Sequence, residues 1–163
     1  MTNNPLIIEL SKLNTTEDAI SGVVPVAILA IEDDRQVHLN DPLKFDLQTQ
    51  KVSSELIVQG TLEVSCDVEC SRCAEIYSTT VTVSSFLRAY EIPDGTDTVD
   101  LTADVREDIL LALPSFPLCS DGCKGLCPQC GKNWNEGPCA CKPSKNDGGP
   151  WAALNGLGLP EDK

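Results

Sequence analysis

The sequence predicts an α+β protein: a small, mostly antiparallel β-sheet, one main α-helix and a C-terminal cysteine-rich segment. Three observations carry this. Apolar and polar residues alternate through two long neighbouring stretches, 55–69 and 74–90. One stretch of helical spacing follows, at 103–113. Nine cysteines stand in 163 residues, and six of them crowd between Cys119 and Cys141.

Taken in order, Leu6, Ile8 and Leu10 alternate as in a short strand. Thr15-Thr16-Glu17-Asp18 has the composition of a turn or a helix start. Val24, Val26, Ile28 and Ala30 predict a strand covered on both faces, ended by Asp33-Asp34. Leu43, Phe45 and Leu47 predict a third strand. Leu62, Val64, Cys66, Val68 and Cys70 alternate with Glu63, Ser65, Asp67 and Glu69, and Tyr77, Thr79, Val81 and Val83 resume the period. These read as paired strands with Cys70-Ser71-Arg72-Cys73 at the turn. Pro93-Asp94-Gly95 is turn chemistry, followed by an acidic loop. Thr102 is the expected N-cap of a helix whose apolar stripe is Val105, Ile109, Ala112 and Leu113, and Pro114 ends it. Residues 142–149 read as a polar linker, and Pro150-Trp151-Ala152-Ala153-Leu154 as a short last helix. The expected organisation is a β-rich body over 1–118, a cysteine-rich segment over 119–145 and a tail over 146–163.

Cys119 to Cys141 contains too few apolar side chains to fold by burial alone. No basic start followed by an apolar stretch opens the chain, so a cytoplasmic location is expected. Thiols stay reduced there, and clustered cysteines are metal ligands more often than disulfides. Cys70/Cys73 and Cys127/Cys130 both have the C-x-x-C spacing, which puts two thiolates on one side of a turn at an angle suited to tetrahedral zinc. Cys127-Pro128-Gln129-Cys130-Gly131 is the sharper, because its glycine lets the backbone turn around the metal. The C-terminal segment is therefore expected to be zinc-binding, with one or two structural ions in the chain. One division assigns Cys70, Cys73, Cys119 and Cys123 to one ion and Cys127, Cys130, Cys139 and Cys141 to another. The second set is then local and cheap to close. A different division joins the two C-x-x-C turns, as zinc ribbons do.

Cys66 shares the apolar face of Val64 and Val68 and is expected to be a core thiol. Cys66, Cys70 and Cys73 also spell the C-x3-C-x2-C spacing of radical S-adenosylmethionine enzymes. The short chain and the strand pattern around Cys66 speak against that cluster. A redox C-x-x-C belongs at a helix start, whereas this one lies between strands. The single histidine, His38, falls between Val37 and Leu39 in a strand pattern and is expected to be exposed, so no catalytic triad can form around a second histidine.

Charge is uneven. The formal net charge is −13, and residues 1–118 hold 20 acids against 7 bases. A nucleic-acid binder clusters lysine and arginine, so direct RNA contact would fall to the tail, near Lys124, Lys132, Lys142 and Lys145. A protein partner with a basic face is the functional alternative to a merely solvated surface. No run approaches the roughly 20 apolar residues of a membrane span, so no membrane association is expected.

Several segments together resemble the YceD family, the large ribosomal RNA subunit accumulation proteins. They are Cys70-Ser71-Arg72-Cys73, Val105-Arg106-Glu107-Asp108-Ile109-Leu110-Leu111-Ala112-Leu113-Pro114, the run from Leu118 to Gly131, Asn135-Glu136-Gly137-Pro138-Cys139, and Pro150-Trp151-Ala152-Ala153-Leu154. The resemblance covers 45–157. It implies a non-enzymatic, cytoplasmic bacterial factor that supports 23S ribosomal RNA accumulation, with a large-subunit assembly intermediate or assembly protein as partner and no small-molecule substrate. It also favours the first division, because some family members lack the later cysteines. Gly148-Gly149-Pro150-Trp151 departs from the family ending, which carries Asp and Arg before the tryptophan. The rival expectations are a zinc-dependent interaction module and a thiol redox switch unrelated to ribosomes.

Overall fold

A computed structural model describes residues 4–13, 17–31, 37–40 and 42–141, and it divides into two compact units, one ending at Cys123 and the other beginning at Lys124. The first unit is mostly antiparallel sheet with one helix. Its strands are β1 (Ile7–Glu9), β2 (Glu17–Val24), β3 (Val37–Leu39), β4 (Leu43–Val52), β5 (Glu55–Glu69), β6 (Ile76–Glu91) and β7 (Thr98–Asp100), and its helix is α1 (Thr102–Ala112).

Strand β5 organises the unit. One of its edges pairs with β4 over Glu55 to Glu63 and then with β3 over Cys66 to Val68, while β6 takes the other edge. β2 lies outside β4. The alternation in β4 and β5 puts Leu43, Phe45, Leu47, Leu56, Val58, Leu62, Val64, Cys66 and Val68 on one buried face. Val105 and Ile109 of α1 join the same core, with Leu29, Leu101, Val81 and Phe86. Each such side chain contributes about 1.5–3 kcal/mol when fully buried. Thr49, the one buried polar side chain among the described residues, donates its hydroxyl proton to the Asp18 carbonyl at 3.1 Å.

Strand β6 holds an irregularity. Gly60 pairs with Phe86 and Leu62 with Val83, so Thr61 faces both Ser84 and Ser85. The extra residue resets the alternation and lets Val81 and Phe86 both point inward. Gly60 itself has φ +155°, and a Cβ there would stand 2.1 Å from the Asp46 carbonyl oxygen.

The structure corrects several sequence expectations. The 24–30 segment is no strand: β2 stops at Val24 and Val26–Leu29 forms a 3-10 turn. Pro25 has no N–H to give to a ladder, and Ala30 closes the turn with φ 47°. Glu17 and Asp18 open β2 rather than a helix. The loop after Pro93 contains β7, which pairs with β1. Thr102 is the first helical residue and not the cap. Its N–H is taken by the Asp100 carboxylate at 2.8 Å, and its hydroxyl accepts from the Asn4 amide at 2.9 Å. Ala112 is exposed and Leu113 half-buried, so the helical stripe is narrower than expected. His38 is half-buried opposite Asp67. The turn at Thr15-Thr16, the strand end at Asp33-Asp34, the linker over 142–149 and the helix from Pro150 lie outside the described residues.

The described residues of the second unit, 124–141, contain no named helix or strand. Leu126 and Asn133 form one isolated antiparallel bridge, and the Trp134 N–H donates to the Gly125 carbonyl at 2.9 Å.

Candidate metal centres

Both C-x-x-C segments fold into the same turn. In the first, the Cys70 N–H donates to the Glu75 carbonyl and the Ala74 N–H to the Cys70 carbonyl, each at 2.9 Å. In the second, the Cys127 N–H donates to the Lys132 carbonyl and the Gly131 N–H to the Cys127 carbonyl, again at 2.9 Å. Both turns need a left-handed residue after the second cysteine. Gly131 supplies it at φ 71°, and Ala74 adopts it at φ 57° despite its Cβ. Alanine at that position gives no sequence signal for a left-handed residue.

In the first unit the sulfurs of Cys70, Cys73, Cys119 and Cys123 all lie within 4.8 Å of one another. Cys70 Sγ is 3.8 Å from Cys123 Sγ, and Cys73 Sγ is 3.7 Å from Cys119 Sγ. Tetrahedral zinc with bonds of about 2.3 Å places its sulfurs about 3.8 Å apart. A disulfide needs about 2.05 Å. The spacing therefore fits a shared metal ion and no cross-link. In the second unit Cys127, Cys130, Cys139 and Cys141 meet the same 4.8 Å limit. The described residues thus contain two groups of four sulfurs, one in each unit.

The electrostatics suit a cation. Cys119, Cys73 and Arg72 donate backbone N–H groups to the Cys70 sulfur, and the Cys119 donor is the strongest influence holding that thiol down at about 6. At Cys73 the Glu75 N–H pulls down, but burial and the neighbouring thiols outweigh it and push the group up to about 12. The second cluster repeats the contrast. The Trp134 indole N–H, 3.4 Å from the Cys139 sulfur, leads the effects that hold Cys139 at about 6, while the thiol of Cys130 and burial push Cys141 up to about 12. Sulfurs this close cannot all be anions without a positive ion among them.

The clusters differ in surroundings. Cys70, Cys73 and Cys123 are buried, with Tyr77 and Leu118 packed on them. Arg72 donates to the Cys123 carbonyl at 3.1 Å and to the Asp121 carbonyl at 3.4 Å, bracing the two ligand turns across the site. Neither Arg72 nor Trp134 stands out in the sequence, because an arginine in a turn and a tryptophan in a loop have many bland explanations. In the second cluster Cys130 is exposed and Cys139 and Cys141 half-buried. Cys66 is buried with the hydrophobic core and belongs to neither group, and burial pushes its thiol up.

The model of a known family, described as "Large ribosomal RNA subunit accumulation protein YceD", matches residues 58–158, more than half of the chain. The chain belongs to the YceD family. The family's name refers to the accumulation of large-subunit ribosomal RNA. Among similar proteins, "Uncharacterized protein Rv2926c" of Mycobacterium tuberculosis and "Uncharacterized protein Mb2951c" of Mycobacterium bovis are each 31% identical over 104 residues, with 55% of this chain and 50% of theirs covered. "Uncharacterized protein ML1660" of Mycobacterium leprae is 29% identical over 106 residues, covering 55% and 48%. The chain spans about half the length of the curated relatives it matches. No solved structure matches it. Among the described residues no helix is long and apolar enough to cross a membrane.

Proposed function

We propose that this YceD-family chain is a non-enzymatic factor, stabilised by two structural zinc ions, that supports 23S ribosomal RNA accumulation by binding a large-subunit assembly intermediate or assembly protein in the bacterial cytoplasm. The family match carries the ribosomal part of this reading. The zinc part is supported by the sulfur spacing in both clusters. All-cysteine sets normally form closed tetrahedral sites that hold structure, whereas catalytic zinc keeps a position open for water or substrate. Cys70, Cys73, Cys119 and Cys123 hold one ion in this proposal, and Cys127, Cys130, Cys139 and Cys141 the other. The acidic character of the sheet unit favours a protein partner over a phosphate backbone.

Deleting the gene tests the role. Mature 23S RNA should fall relative to 16S and be restored by the wild-type chain but not by Cys70→Ala. An unchanged subunit ratio in the deletion overturns the proposal. A redox switch has one observation in its favour, the exposure of Cys130. It requires zinc release at physiological peroxide, and metal retained under that treatment removes it.

A further inference from the structure

Among the described residues, β6 pairs only with β5, so its far edge has no strand beside it. An unpaired edge is a row of backbone donors and acceptors ready to take another chain, and proteins normally blunt one with charge, proline or brevity. Here Ile76 to Val83, ahead of the irregularity at Ser84 and Ser85, contains no charged residue, no proline and no glycine. It is rich in threonine, valine and tyrosine, the residues that favour an added strand.

The two faces beside this edge differ. On the solvent face of the sheet Ser78, Thr80 and Thr82 are exposed and short. One strand further in, Asp67 pairs with Ser78, Glu63 with Thr82 and Glu69 with Ile76. Asp46, Glu55 and Glu91 lie on the same face, and Lys44 is the one lysine among them. On the core face Val81 is buried, while Tyr77, Thr79 and Val83 around it are half-buried and keep part of their surface open to an added strand.

We infer that the far edge of β6, between Tyr77 and Val83, receives an extended segment of a protein partner by strand addition, and that this segment alternates basic and apolar residues. Backbone hydrogen bonds supply the pairing. Apolar side chains of the added strand cover Tyr77, Thr79 and Val83, while lysines or arginines lean across Thr80 and Thr82 toward Glu63 and Asp67. A second copy of this chain is disfavoured, because each copy carries a net charge of −13. The inference rests on the proposed binding role and names the chemistry of the partner.

The test uses the full zinc-loaded chain and a ten-residue probe peptide that alternates lysine and valine. In the free protein, alternate amides between Tyr77 and Val83 should exchange quickly with solvent. With peptide at about ten times its Kd their exchange should slow about tenfold. The same peptide N-methylated on alternate residues should leave them unchanged, as should one with glutamate for lysine. Protection of every β6 amide in the free protein, peptide effects on another surface, equal binding of the N-methylated peptide, or a dimer formed through β6 each overturns the inference. The deletion strain reads the ribosomal role separately. If 23S RNA depends on the protein while the peptide ignores β6, the edge inference fails alone. If the peptide adds to β6 while subunit ratios are unchanged by deletion, the ribosomal reading fails alone.

Discussion

Cys66 and Cys70 allow a controlled comparison. Both are 1% exposed, and both belong to the same run of alternating residues. Only Cys70 meets three other sulfurs. Truncating Cys66 to alanine removes one buried atom and should cost about 1 kcal/mol. Truncating Cys70 opens a four-ligand site that ties the hairpin turn to the chain beyond α1. Cys73 and Cys119 are separated by 46 positions, and a cross-link closing a loop of that length restricts the unfolded chain by about 4 kcal/mol. Urea unfolding with a slope of about 2 kcal/mol per molar converts these costs into midpoint losses of about 0.5 M for Cys66→Ala and about 2 M for Cys70→Ala. Circular dichroism of the sheet signal follows the midpoint, and elemental analysis counts the metal. Cys66→Ala should keep two ions per chain and Cys70→Ala should keep one. Cys127→Ala should also lose one ion but leave the sheet midpoint in place, because its cluster lies in the second unit. Equal midpoint losses for Cys66→Ala and Cys70→Ala with an unchanged metal count would refute the reasoning.

Other perturbations reach different parts of the structure. Gly60→Ala should cost about 1–3 kcal/mol in backbone strain alone, and more from the approach to Asp46, whereas Gly122→Ala meets nothing within 4 Å and should be neutral in the same urea titration. Arg88 holds α1 to β6 through Asp108 at 2.6 Å and Asp104 at 3.2 Å, so Arg88→Ala should lower stability by about 1–3 kcal/mol. Burial, then the hydrogen bond to Asp104, raise the Tyr90 hydroxyl above its ordinary value. A proton held more tightly in the folded state gives stability that is full below about pH 10 and is lost as pH rises further. Urea midpoints should therefore fall above that pH in the wild type and fall less in Tyr90→Phe. Bound thiolates have lower effective pKa values than the free thiols of the unfolded chain, so metal-linked stability is present at neutral pH and lost in acid. Zinc should stay bound at neutral pH and leave as acid protonates the thiolates, as a chromogenic chelator would record. In a Trp151→Phe background, Trp134 emission should respond to metal removal, and Cys139→Ser should abolish the response.

The sheet was legible where one face is buried. Leu62, Val64, Cys66 and Val68 alternate with Glu63, Ser65 and Asp67 because the period of a strand is two, and that period placed β5 and most of β6. The four-and-four grouping was legible because Cys127 to Cys141 can close locally. The rest depended on contacts distant in sequence. β7 exists because Val99 meets Ile8, and nothing within a short acidic loop announces that partner. The 3-10 turn at Val26–Leu29 carries a strand-like pattern interrupted only by Pro25. The extra residue at Ser84 and Ser85 is invisible in a serine pair, and Gly60, paired with Phe86 next to it, shows its close approach to Asp46 only in the folded sheet. Arg72 and Ala74 act through geometry that only the folded turn reveals.

X-ray absorption at the zinc edge of the purified full chain, paired with a metal count, bears most directly on the two four-sulfur sites. Two zinc ions per chain should appear, each surrounded by four sulfurs at about 2.3 Å. A count below one, or a shell in which nitrogen or oxygen replaces sulfur, would contradict the account.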